Sequence, residues 1–275
     1  MLSISQWLPI LLSLLAVGMI AGVLAGLLGV GGGIVMVPVL YFLFQYFNVT
    51  ADTAMVVATG TSLAAIIPTS ISSIRSHHRR SNVDWLLIKR WLLFMVVGVL
   101  LGSWLVTRLD GRYFTLVFAL IALFVAFNML FRSNNTAWRQ QLPAMPGQGL
   151  LGTVIGFLSA MVGIGGGTLG VSLLTAYNYP IHRAVGTSAA FGLLISVPGA
   201  LMLLLMGQTP ADAPVATVGY VNWLALIAIV PLSVAFAPVG VRLGAALNSH
   251  RLKQVFAVIL TITALRMLLQ VVGSI

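Results

Sequence analysis

A five-residue phrase occurs twice in this chain, each time inside a long apolar stretch: Gly29-Val30-Gly31-Gly32-Gly33 and Gly163-Ile164-Gly165-Gly166-Gly167. Glycine exposes its backbone and costs about 1 kcal/mol against alanine inside a helix. Four glycines in five residues therefore break a helix. Where the surrounding medium is hydrocarbon, a broken helix survives only if protein or a water-filled cavity satisfies the freed N–H and C=O groups. A matched pair of breaks, one in each half of a chain, is the pattern by which discontinuous helices build a site near a bilayer midplane.

The medium here is hydrocarbon. Of 275 residues, 60% are hydrophobic and 7% charged, with a mean hydropathy of +1.08. Apolar runs of roughly 20 residues, the length that crosses a bilayer, recur along the chain. Continuous apolar runs, without period-2 alternation, exclude a β-barrel. The expected fold class is an all-α polytopic membrane protein without a soluble domain, multi-pass in the plasma (inner) membrane. The net charge of +10 comes from 14 Lys and Arg against 4 Asp and Glu. The basic residues sit mostly in short loops, so the charge reads as membrane orientation and secondarily as a match for an anion, not as a nucleic-acid surface. The absence of cysteine excludes disulfides, thiolate metal sites and Cys catalysis. Met1 to Pro9 holds no Lys or Arg, which is expected of mature sequence and not of a cleaved leader.

The halves match beyond the glycines. Gly60-Thr61-Ser62 answers Gly186-Thr187-Ser188, and Val83-Asp84-Trp85 answers Val221-Asn222-Trp223. Gly102, Leu109 and Phe118 fall opposite Gly240, Leu247 and Phe256 at the offset of that Trp pair. Residues 1–133 are thus expected to form a first repeat, 134–148 a linker and 149–275 a second repeat. Arg75, Arg79, Arg80, Lys89 and Arg90 crowd one loop of the first half, whereas the corresponding stretch Gly207–Gly219 holds no basic residue. By the positive-inside rule the repeats then have opposite orientation. Arg108 and Arg112, in a loop that this assigns to the outside, depart from the rule. Inverted repeats need an odd number of crossings each, and three spans per half supply it: about 53–75, 85–107 and 112–131, then 184–206, 220–242 and 252–272. The apolar arms around each glycine cluster must then enter and leave on one side. In the second copy, Gly149–Val162 and Thr168–Tyr179 are too short to cross a core of about 30 Å, which predicts a re-entrant hairpin. Trp7–Leu28 in the first copy is long enough to span alone. Eight to ten membrane segments follow.

Each cluster opens a new helix, whose first N–H groups are unpaired and whose dipole is positive at that end. Glycine lets an oxyanion approach that backbone, so two facing tips form an anion site that needs no buried Lys or Arg. The candidate substrate-binding residues are Gly29, Gly31, Gly32, Gly33, Gly163, Gly165, Gly166 and Gly167, joined by Thr61, Ser62, Thr187 and Ser188, whose hydroxyls donate hydrogen bonds without adding charge. The competing reading for the glycines is close helix packing, and for the hydroxyls a bond back to their own helix. Neither cluster completes a dinucleotide fingerprint or a P-loop. The chain has no Glu, and Asp52, Asp84, Asp110 and Asp212 all fall at span ends or loops, so no carboxylate relay is visible at mid-membrane. His77, His78 and His250 read as loop residues, and His182-Arg183 as the mouth of the second hairpin. Trp7, Trp85 and Trp223 read as interfacial anchors, and Pro68 and Pro198 as kinks. No catalytic constellation, metal site or cofactor motif is present, and no enzyme activity is expected.

With Gly26-Leu27-Leu28-Gly29-Val30-Gly31-Gly32-Gly33 running into Pro38, Ala58-Thr59-Gly60-Thr61-Ser62, the second glycine cluster and Ala184-Val185-Gly186-Thr187-Ser188, nearly the whole chain resembles the TauE/SafE family of membrane permeases. The resemblance implies a plasma-membrane permease for sulfite, organosulfonates or related sulfur anions, with the glycine clusters and Gly-Thr-Ser motifs facing the substrate. Pro68 and Pro198 depart from perfect repeat symmetry. The partners expected are a small anionic substrate and the lipid bilayer. Coupling to a proton or other ion, and homo-oligomerisation, are compatible with the sequence.

Overall fold

The computed structural model describes residues 4–29, 31–131, 141–246 and 250–273. Among the described residues ten helices follow in order: α1 (Ile4–Leu28), α2 (Gly33–Tyr46), α3 (Ala51–His78), α4 (Trp85–Val106), α5 (Gly111–Phe131), α6 (Met145–Val162), α7 (Gly167–Ala176), α8 (Ile181–Leu205), α9 (Trp223–Ala246) and α10 (His250–Gly273). A two-residue β-ribbon, Thr217–Val218 with Val221–Asn222, precedes α9. Among the described residues seven helices are long and apolar enough to cross a bilayer: α1, α3, α4, α5, α6, α8 and α9. The chain is an all-α, multi-pass membrane protein.

The order α1–α5 repeats as α6–α10, and the packing is reciprocal between the halves. Helix α1 lies along α9 and α6 along α4, while α3 pairs with α8 and α5 with α10. The first two seams are backbone contacts made through glycine. A Cβ at Gly18, Gly22 or Gly26 would come within 2.4, 2.4 and 2.0 Å of the carbonyl oxygens of Ile229, Ser233 and Ala237. On α4, Gly98 and Gly102 meet Thr153 and Phe157 of α6 in the same way. Glycine every fourth residue puts a flat stripe on one helix face. Such stripes replace the hydrophobic drive that lipid cannot supply between helices.

These contacts fix direction. Helix α1 runs parallel to α9, since rising numbers meet rising numbers, and α6 runs parallel to α4. Helices α3 and α8 are antiparallel. Gly186, near the start of α8, abuts Asn82 beyond the end of α3, and Gly60, early in α3, abuts Tyr220 beyond the end of α8. The bundle therefore has an Asp84 end and an Asp212 end. Helix α1 starts at the Asp212 end, and α2 returns there, where the Thr50 N–H donates to Asp212 at 2.9 Å. Helix α6 starts at the Asp84 end, and the chain leaving α7 returns there through Tyr179, whose hydroxyl donates to Asp84. Two broken hairpins enter from opposite ends.

The length argument for the second hairpin needs correction. Helix α6 begins at Met145, inside the stretch expected as linker, and its 18 residues are sufficient for a span. Pro146, within that stretch, sits in the first turn of α6, where a missing N–H has no cost. The hairpin survives because its other arm, α7, has 10 residues. His77 and His78 are likewise not loop residues. Helix α3 runs through both, and His77 is buried with Nε2 2.9 Å from the Gly26 carbonyl oxygen.

Replacing Gly22 or Gly26 by valine should prevent the α1–α9 seam from closing, since the obstructing atoms are backbone. We expect a loss of about 1–3 kcal/mol or more, read as a lower melting temperature in detergent, with Gly273→Val, which meets nothing within 4 Å, as the silent control. Reporter fusions at Asp212 and at the C-terminus should fall on one side of the membrane, and a reporter inserted at Ser81 on the other.

Candidate functional site

Both breaks occur where the glycines stand. Helix α1 stops at Leu28 and α2 starts at Gly33, and α6 stops at Val162 and α7 starts at Gly167. The conformation repeats residue for residue. Gly29, Gly31 and Gly32 have φ of 66°, 71° and 82°, and Gly163, Gly165 and Gly166 have 72°, 69° and 69°. All six lie in the left-handed region that costs an L-residue about 1–2 kcal/mol. Gly32 and Gly166 are the N-caps of α2 and α7, and neither helix has a side-chain cap. The first-turn N–H groups of both helices are thus aimed into the bundle without side-chain acceptors.

The tips meet. A Cβ on Gly33 would lie 2.4 Å from the Gly163 carbonyl oxygen and 2.9 Å from Ile164 Cα. Each tip also leans on the opposite half: Gly29 on Val185 of α8, and Gly163 on Thr59 of α3. The described cluster residues are all buried. Ile66 of α3, fully buried, fills the space between them, within contact of Gly31, Gly33 and Gly165. In this conformation the centre is closed.

The two Gly-Thr-Ser motifs divide their labour. Thr61 Oγ1 accepts the Asn222 N–H at 2.9 Å, and Thr187 Oγ1 accepts the Asp84 N–H at 3.0 Å. Asn222 and Asp84 in turn cap α9 and α4 through the N–H groups of Ala225 and Leu87. Gly60 and Gly186 allow that approach, as each would otherwise strike the carbonyl of Tyr220 or Asn82. The threonines therefore tie each central helix to the first turn of a helix in the other half. The serines differ. Ser62 Oγ donates to the Gly163 carbonyl at 2.8 Å, whereas Ser188 Oγ is buried without a partner.

Ser188 is not alone. Thr59, Ser70, Ser159 and Thr168 also carry buried hydroxyls with no hydrogen-bond partner. Two of these oxygens lie beside the tips. Cβ atoms at Gly31 and Gly166 would lie 3.7 Å from Ser70 Oγ and 3.3 Å from Ser159 Oγ, Thr59 abuts Gly163, and Thr168 follows Gly167. An unpaired buried hydroxyl costs about 1–3 kcal/mol, and few are left in native interiors. Ser70 and Ser159 thus set hydroxyls, able to donate without adding charge, beside the glycine tips. Sequence reading named Ser188 and missed the rest, together with Ile66. Ser70 and Ser159 belong to no repeated motif, and a serine in an apolar helix more often bonds its own carbonyls.

A charged cluster lies at the bundle end. Arg183 makes an ion pair with Asp84 at 3.0 Å, and Tyr179 donates to the same oxygen. Partial burial pushes the Asp84 carboxyl up, but the bonds from Tyr179 and Leu87 and the Arg183 charge outweigh it and hold the group below its usual range. Burial first, and then the Asp84 carboxylate, push Tyr179 up to about 12. Arg183, expected at the hairpin mouth, is thus engaged in tying α8 to the α4 cap.

The model of the family described as Sulfite exporter TauE/SafE matches residues 14–267. The chain belongs to the TauE/SafE family. A probable membrane transporter protein of Haemophilus influenzae is 33% identical over 95% of this chain and 98% of its own length. One of Methanocaldococcus jannaschii is 29% identical over 96% and 97%, and one of Bacillus subtilis 29% over 86% and 87%. No solved structure matches the chain. TauE/SafE membership makes this a membrane transporter, and the matched span contains both glycine breaks and both Gly-Thr-Ser motifs.

Asp84→Asn keeps the cap, as Asn222 does in the other half, and loses the ion pair. The folded carboxyl titrates below its unfolded value of about 3.9, so its contribution is present above that pH and is lost as pH falls through the lower folded value. Since Arg183 is half exposed, we expect the variant to melt only a few degrees lower at pH 7, with a pair worth under about 1 kcal/mol. The difference from the parent should shrink as the pH falls below the unfolded carboxylate value and through the lower folded one.

Proposed function

We propose that this protein moves a small anion, a sulfur oxyanion such as sulfite or an organosulfonate, across the plasma membrane by alternating access, and that the anion binds where the two glycine tips meet. The supporting observations are the meeting of two helix N-termini that lack side-chain caps and the unpartnered buried hydroxyls of Ser70 and Ser159 beside Gly31 and Gly166. Such a site supplies partial positive charge and hydrogen-bond donors while keeping full charges out of the bundle interior. A tetrahedral or pyramidal oxyanion presents several acceptors to such a set, and a monatomic halide presents one. The family name and the relatives support transport and favour a sulfur anion.

Access requires Ile66 to leave the space between the tips. Ile66 lies on α3, and α3 pairs with α8, its antiparallel counterpart from the other repeat. Rocking one hairpin and its partner helix against the other would uncover the tips from one end at a time. The basic residues Arg75, Arg79, Arg80, Arg90 and Arg242 lie toward the Asp84 end, which places that end in the cytoplasm by the positive-inside rule. The Asp212 end then faces outward.

Proteoliposome flux of labelled sulfite and a panel of sulfonates tests this. Saturable, exchange-competent flux is expected; a single-channel current in planar bilayers would instead support a pore. Gly32→Val and Gly166→Val should abolish flux. Because both also strain a left-handed residue, Ser70→Ala and Ser188→Ala serve as the decisive variants. Each removes one donor to an anion and should weaken apparent affinity about tenfold without loss of folded protein. Unchanged affinity in both serine variants would move the site away from the tips.

A further inference from the structure

A groove between α3 and α9 carries two chemistries in sequence along its length. Toward the Asp84 end it is a crevice of about 470 Å³ lined by Ser72, Arg75 and Ser76 of α3, by its C-cap residue Arg79, and by Val234 and Pro238 of α9. Pro68 closes this crevice and also opens the next, of about 500 Å³, whose walls include Ala64, Ile67, Leu226, Val230 and Pro231. Prolines at 68, 231 and 238 sit inside their helices, where a proline removes a backbone hydrogen bond. The two crevices are consecutive stretches of one groove.

Arg75 and Arg79 are one turn apart on the same face of α3. Both are exposed, no acidic residue lines the crevice, and among the described residues the recorded ion pair is that of Arg183 with Asp84. Two guanidinium forks one turn apart match the oxygens of a phosphate. From Arg79 to Pro68 is about 16 Å of helix, roughly half of a hydrocarbon core of about 30 Å. That is the depth of one leaflet.

We propose that this groove binds an anionic phospholipid, with its phosphate between Arg75 and Arg79 and an acyl chain running past Pro68 into the apolar crevice. The charge complementarity selects an anionic headgroup, and the continuity of basic and apolar walls selects an amphiphile over a free anion. The bound lipid packs against the helix that carries Ile66 and Ser70, yet the assignment does not depend on the transport reading.

The test uses the purified full chain in detergent, with phosphatidylglycerol, phosphatidylcholine and inorganic phosphate added separately, and reads thermal unfolding and native mass spectrometry. Phosphatidylglycerol should bind about tenfold or more tighter than phosphatidylcholine and raise the melting temperature, and phosphate alone should do neither. Arg75→Gln with Arg79→Gln should remove that preference, and Arg108→Gln at the opposite end should keep it. Val230→Trp, which fills the apolar crevice, should weaken binding of long-chain lipid. Equal stabilisation by inorganic phosphate would make this a free-anion site and overturn the proposal. So would an undiminished preference in the double arginine variant, or a dimer that Val230→Trp disperses, since the groove would then hold a second copy.

Discussion

The fold depends on how backbone is satisfied where two helices break inside an apolar bundle. Breaking α1 and α6 frees N–H and C=O groups at a depth where water does not reach them. The six left-handed glycines let the chain turn within four residues and begin a new helix immediately. The carbonyl of Gly163 is then taken by Ser62 from the opposite half, and the Ile164 N–H by the Ser159 carbonyl. The side-chain atoms left without a partner near the breaks include hydroxyls, which carry no charge and can donate a hydrogen bond.

The same chemistry binds the halves together. Each central helix, α3 or α8, offers a threonine to the cap residue of a helix in the other repeat, and each tip rests on the backbone beside that motif. Site and interface are therefore built from the same short segments.

Much of the architecture was legible in the chain. The six spans expected outside the hairpins each coincide within a few residues with an observed helix, and five of those helices are long and apolar enough to cross a bilayer. The breaks were legible because glycine is the one residue type free to turn left-handed. The start of α6 was not, since Pro146 serves equally in a loop and in a first helical turn. Nor was the burial of His77, which depends on a carbonyl of α1, 51 residues away. For the candidate site, the paired motifs marked the neighbourhood but left open which member of each Thr-Ser pair faces the centre. That is set by helix rotation, and both residues lie on the buried side of α3 and α8.

The sequence by itself determined that this is a helical membrane protein of two related halves, each with a helix broken at a glycine cluster, because composition and glycine conformation act locally. Only the tertiary structure decided that the two breaks touch, that Ile66 stands between them, that Thr61 and Thr187 are latches, and that Ser70 and Ser159 face the tips. Those outcomes depend on how closely α1 approaches α9 and α4 approaches α6. That distance is fixed by glycine meeting backbone across the bundle, a pairing between distant segments that no single stretch of chain specifies.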